Sequence, residues 1–208
     1  MTRAMTVKNL YDKKVKRLVK FTDPHLAEIF GNAELSGCWE FYGIEKNGKT
    51  WCILQVAKDL SYNHKTVFIS AEEGTDLSFI EAVKRAGINP SHKILFEEYL
   101  PIEAIIEKYN KRNAAEILII DNLTMYSDEM KQFGLINFLE AMPGKLIIFV
   151  AHEERREPYP AVAKLAKKLA KVYVHVSGLS GFVVSRFSKG GEIVIDEEGS
   201  ALYWGDAR

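Results

Sequence analysis

The octet GIEKNGKT at residues 43–50 sets the tightest limit on how this chain can fold. It matches GxxxxGK(S/T) at every defined position, a pattern that works in one backbone setting, between the end of a strand and the start of a helix. Gly43 and Gly48 let the backbone wrap so that successive N–H groups face inward. The loop then feeds a helix N-terminus, whose free N–H groups and dipole favour an anion. Lys49 adds a point charge for β- and γ-phosphates, and the Thr50 hydroxyl suits Mg²⁺. The flanks agree, with a short strand predicted over residues 38–42 and a helix over residues 49–60. The expected nucleotide contacts are therefore Gly43, Ile44, Glu45, Lys46, Asn47, Gly48, Lys49, Thr50 and Trp51.

Strand and helix signals alternate through most of the remaining chain. Residues 66–70 (TVFIS) read as a buried strand, and residues 76–86 as a helix stopped by Gly87. A brief strand over 93–96 precedes a helix over 101–112, opened by Pro101. The continuous apolar runs at 116–121 (EILIID) and 145–151 (KLIIFVA) suit central parallel strands covered on both faces. A helix over 127–140 lies between them, and another follows over 161–171. Residues 172–176, 181–187, 192–196 and 201–204 read as short strands with Gly-rich turns, an antiparallel extension of the same sheet. Residues 20–35 mix helix and turn signals, with Asp23-Pro24 as a break. The expected fold class is α/β, a mostly parallel central sheet flanked by helices, as one domain over residues 23–208 after a basic arm over 1–22.

Four side chains fall where such a sheet would bind ligand, at the C-terminal edge of its parallel strands. Asp121 ends the run at 116–121 and is the expected holder of the Mg²⁺ water shell together with Thr50. Glu72 and Glu73 follow the strand at 66–70, and Glu72 is the expected orienter of an attacking water, with Glu73 the alternative. His152 follows the strand at 145–151 and is placed to touch a γ-phosphate.

On GIEKNGKT, FISAEE, ILIIDN, LIIFVAHEE and SRFSKGGEI, the chain resembles the RecA/RadA/DnaB group of P-loop ATPases, including their short single-domain relatives in phages and plasmids. The resemblance spans roughly residues 35–204. It implies a RecA-like core that binds ATP and Mg²⁺, with Lys49 and Glu72 catalytic and His152 as γ-phosphate sensor. It also implies that Arg186 is a finger reaching into the neighbouring subunit's nucleotide. The family's companion lysine is absent, since Val184 stands at its position. The implied partners are single-stranded DNA and further copies of the chain in a ring or filament, in recombination, annealing or replication.

Composition narrows the remaining classes. The chain has 208 residues, 47% hydrophobic and 27% charged, which suits one globular domain rather than a disordered chain. No apolar run approaches the ~20 residues that cross a bilayer, and the N-terminus lacks a signal-peptide core, so a cytoplasmic protein without membrane contact is expected. Cys38 and Cys52 read as buried small side chains. The formal net charge is zero, yet residues 1–20 carry seven Lys or Arg and one acid, Asp12. Such an arm suits phosphate backbones, and equally a solvated terminus. Residues 152–160, with Arg155, Arg156 and Tyr159, read as a DNA-facing loop, followed by Lys164, Lys167, Lys168 and Lys171 on a helix. Two other functions stay open: a regulatory ATPase acting on proteins without DNA, and a small-molecule phosphotransferase.

Overall fold

The computed structural model describes residues 4–13 and 17–205. Arg3, Lys14 and Lys16 of the basic arm lie outside the described residues. In chain order, α1 (Val7–Tyr11) and α2 (Pro24–Phe30) precede β1 (Gly37–Gly43), α3 (Lys49–Asn63), β2 (Thr66–Ser70), α4 (Leu77–Arg85) and β3 (Ile94–Glu97). Then come α5 (Ile102–Tyr109), β4 (Ile117–Asp121), a 3₁₀ turn (Leu123–Tyr126), α6 (Ser127–Phe133), α7 (Leu135–Ala141) and β5 (Leu146–Glu154). The chain closes with β6 (Glu157–Tyr159), α8 (Ala161–Leu169), β7 (Val172–Ser177), β8 (Ser180–Ser185), β9 (Gly191–Val194) and α9 (Glu197–Trp204).

These strands form one nine-stranded sheet in the order β3-β2-β4-β5-β1-β7-β8-β9, with β6 paired to β5. Every pair from β3 across to β7 is parallel, whereas β8, β9 and β6 join antiparallel. The protein is thus α/β, with a mostly parallel mixed sheet flanked by helices. The apolar runs explain why. In β4, Ile117 and Ile119 enter the core under α2, α3 and α4, while Leu118 and Ile120 enter the opposite core under α5 to α8. In β5, Ile148 and Val150 face the first core, and Ile147 and Phe149 the second. A strand buried on both faces needs apolar side chains at every position, not alternate ones. Truncating one of these, such as Ile119→Ala, would cost about 2–5 kcal/mol.

The chain departs from the sequence expectations in several places. Asp23-Pro24 starts a helix rather than breaking one: the Asp23 carboxylate accepts from the His25 and Leu26 N–H groups, with Pro24 in the first turn. Residues 17–22, expected to belong to the arm, pack on the domain. Val19 is buried, the Thr22 and Asp23 N–H groups donate to Asp59, and Arg17 pairs with Glu116. The helix expected over 127–140 divides at Gly134, whose φ of 79° leaves the helical region. The strand expected over 201–204 is the end of α9, because Asp196 caps that helix by accepting from the Gly199 N–H at 2.6 Å. Acidic Glu197 and Glu198 in its first turn favour the helix dipole and outweigh the strand-like composition of ALYW. Cys38 and Cys52 are buried free thiols, both pushed up to about 12 chiefly by that burial.

Candidate active site

β1 ends at Gly43, residues 44–48 turn, and α3 starts at Lys49. The two loop glycines are required for different reasons. Gly48 takes a left-handed φ of 86° at the N-cap of α3. Gly43 lies against β7, where a Cβ would come within 2.1 Å of the Val176 carbonyl oxygen. Lys49 folds back over the loop, and its Nζ donates to the Ile44 carbonyl at 3.0 Å. Burial lowers the Lys49 pKa, opposed by the carboxylates of Asp121, Glu72, Glu45 and Glu153. Trp51, in the first turn of α3, lies under the Arg85 guanidinium of α4 at 5.2 Å.

The sheet order brings the distant acids to this loop. The Thr50 Oγ1 donates to Asp121 Oδ2 at 3.1 Å, across from the end of β4. Burial pushes the Asp121 carboxyl up to about 7, the charges of Glu73 and Glu72 add to it, and the Thr50 hydrogen bond and Lys49 oppose it. Ala71 follows β2, and its N–H donates to the Asp121 carbonyl at 2.6 Å, which sets Glu72 beside the end of β4. His152 was expected just beyond its strand. It lies instead within β5, which continues to Glu154, and its register partner on β1 is Gly43. His152 Nε2 stands 3.3 Å from the Glu72 carboxylate.

Asn122 is a residue that sequence reasoning missed. It is buried after β4, past a cis Asp121–Asn122 peptide, and its amide nitrogen contacts both Glu72 and His152. An Asn after a strand is unremarkable in sequence. Only the placement of β4 between β2 and β5 brings Glu72 and His152 to either side of it.

Lys49, Thr50, Glu72, Glu73, Asp121 and His152 line one cleft of about 480 Å³, together with Glu45, Lys46, Gly48 and Trp51. A larger concavity of about 610 Å³ adjoins it, sharing Trp51 and lined also by Arg85, Gln55 and Tyr62. Among the described residues no group of three or more His, Cys, Asp or Glu forms a metal cage. Mg²⁺ is held in such sites by one or two side chains plus substrate phosphates and water. The Thr50 hydroxyl and Asp121 carboxylate, adjacent and both oxygen donors, fit that demand.

Arg186 is not brought to this cleft. Ser185 pairs with Val172, and Val172 with Trp39, so Arg186, whose N–H donates to the Lys171 carbonyl, lies level with Cys38 at the N-terminal end of β1. That end is about 15 Å along the sheet from Gly43. The expected DNA-facing loop over 152–160 is a hairpin, in which β5 and β6 pair from His152–Tyr159 to Glu154–Glu157. Its turn consists of Arg155 and Arg156, with φ of 54° and 65°. The helix expected over 161–171 ends at Leu169, which leaves Lys171 beyond it, and two of the four lysines are engaged internally: Lys167 with Glu157 and over the Tyr42 ring, Lys171 with Glu34. No helix among the described residues is long and apolar enough to cross a membrane. No family model matches this chain, and no curated protein matches it.

Proposed function

We propose that the chain is a RecA-like P-loop ATPase that binds ATP with Mg²⁺ and hydrolyses it, acting on single-stranded DNA. The observation that carries this reading is the single cleft that gathers Lys49, Thr50, Asp121, Glu72 and His152 from four different strand ends. In this reading Lys49 and the loop backbone bind the phosphates, and Thr50 and Asp121 are the Mg²⁺ ligands. The cation, when bound, neutralises charge on the phosphate oxygens. Glu72 orients the water and takes its proton, and His152 contacts the terminal phosphate. A carboxylate beside the phosphate loop suits water as acceptor and argues against a small-molecule phosphotransferase.

DNA as the partner draws support from the β5–β6 hairpin. His152 lies at its base and the Arg155–Arg156 turn at its tip, with the Arg155 side chain 92% exposed and Tyr159 exposed nearby. A change at the terminal phosphate would therefore be felt a few residues from two cationic side chains. Arg186 is too remote to act on the nucleotide of its own chain, and in this reading it serves the site of a second copy in a ring or filament.

The test is phosphate release from ATP and Mg²⁺, with and without single-stranded DNA, beside Lys49→Ala and Glu72→Gln. Turnover raised by DNA, lost in Lys49→Ala, and reduced about 100-fold or more in Glu72→Gln with nucleotide binding retained is the expected pattern. Turnover indifferent to DNA would transfer the reading to a regulatory ATPase acting on proteins, and absence of turnover would remove the hydrolase.

A further inference from the structure

Asn122 is almost completely buried, at 1% exposure, and its side-chain amide has a determined orientation. The Thr124 N–H donates to Asn122 Oδ1 at 2.8 Å. A backbone N–H only donates, so the atom it meets is the oxygen, and the other amide atom is the NH₂ group with two hydrogens. That nitrogen contacts Glu72 Oε2 on one side and lies 2.7 Å from His152 Nε2 on the other. One hydrogen points to each.

His152 Nε2 then has to accept. A neutral imidazole that accepts at Nε2 carries its proton on Nδ1. The competing arrangement has Nε2–H donating to Glu72 Oε1 over the longer distance of 3.3 Å. It would turn an imidazole N–H against the amide NH₂ at 2.7 Å, donor against donor. The Nδ1–H form leaves one buried donor without a partner among the described residues, whereas the alternative sets two donors against each other at 2.7 Å, which is the costlier arrangement.

We propose that Asn122 is a positioning residue whose amide bridges Glu72 and His152, holding His152 as the Nδ1–H tautomer and tying down one oxygen of the Glu72 carboxylate. The consequence for turnover rests on the hydrolase reading above. The tautomer does not. With Oε2 held, Glu72 keeps a defined orientation toward an attacking water, and a displacement of about 1 Å at such a group costs up to about 100-fold in rate.

The experiment uses the full chain labelled with ¹⁵N-histidine, with the His152 signals assigned by their loss in His152→Ala. The wild type is expected to show the Nδ1–H pattern. Asn122→Asp is isosteric and still offers Thr124 an acceptor, but it removes the donor, so His152 is expected to move its proton to Nε2. An Nε2–H pattern in the wild type, or an unchanged pattern in Asn122→Asp, overturns the proposal. In kinetics, Asn122→Ala is expected to lower kcat about 10- to 100-fold with KM for ATP nearly unchanged; an unchanged kcat overturns it as well. Should the wild type release no phosphate, the hydrolase reading falls while the nitrogen spectra still decide the role of Asn122.

Discussion

The side-chain oxygen of Asn47 accepts a hydrogen bond from the Gly178 N–H at 3.1 Å, which ties the loop after β1 to the turn between β7 and β8. That turn is itself pressed under α9, since a Cβ on Gly178 would come within 2.2 Å of the Tyr203 ring. Loop, turn and terminal helix therefore form a stack, and the loop is held from outside as well as by its own sequence. In the proposed ATPase, removing the outer tie in Asn47→Ala forfeits about 0.5–1.5 kcal/mol of preorganisation, or about 2- to 12-fold in ATP affinity. Nucleotide titration checks this, with circular dichroism expected to be unchanged. Wild-type affinity in the variant would show that the loop needs no external brace.

The second prediction concerns the cation. Asp121 is raised to about 7 by burial, with Glu73 and Glu72 adding to the effect. Only the carboxylate form ligates Mg²⁺, so below that value each cation bound must displace a proton. Above about pH 7 there is no proton to displace, and below it affinity falls by up to about tenfold per pH unit. Mg²⁺ titrations of nucleotide binding at about pH 6 and about pH 8 measure this directly. Equal Mg²⁺ affinity at the two values would remove Asp121 as the ligand that responds.

Glu40 makes the third prediction, about stability. It is fully buried in β1, and neither carboxylate oxygen has a partner among the described residues. Burial raises it from 4.5 to about 9, Lys167 opposing and Glu157 adding. In that window the folded chain keeps the proton and the unfolded chain has lost it. Stability is accordingly highest at the acid end and declines as pH rises, at up to about 1.4 kcal/mol per unit. Glu40→Gln cannot ionise. Its thermal midpoint is expected to exceed the wild type's at about pH 8, with a flatter pH profile between about pH 5 and 8. Parallel profiles for the two proteins would refute the argument.

What the sequence made legible and what it hid divide along a physical line. The loop at residues 43–50 and the strands ending at Asp121 and Ser70 could be read because local backbone chemistry and burial on both faces leave marks in the residues themselves. The site's inner contacts could not, because they depend on strand order. His152 meets Gly43 only because β5 lies next to β1, and Asn122 bridges its neighbours only because β4 lies between β2 and β5. Arg186 lies remote from its own cleft for a related reason, since β8 reverses direction and carries it to the other end of the sheet. The hairpin over 152–159 left no signal, because Arg-Arg is not a turn sequence.

That last point leads to the fourth prediction. Arg155 and Arg156 occupy a two-residue turn between paired Glu154 and Glu157, both with positive φ. This geometry favours Asn-Gly, and a side chain such as arginine is strained there by about 1–2 kcal/mol per residue. Glu154 offsets part of the tip's positive charge at 3.9 Å from Arg155 Nε, whereas Glu153 adds little, because it is buried against His175 at 2.7 Å. Replacing Arg155–Arg156 by Asn-Gly should therefore have opposite effects on two measurable quantities. The thermal midpoint should rise as the strain is relieved. Affinity for single-stranded DNA should fall, and the slope of log affinity against log salt should shrink by about 1.4, two phosphate contacts' worth. A stabilised variant that binds DNA with the wild-type salt slope would mean that the hairpin tip does not touch the phosphates. A destabilised one would mean that the two arginines, despite their backbone conformation, are held by contacts in the fold itself.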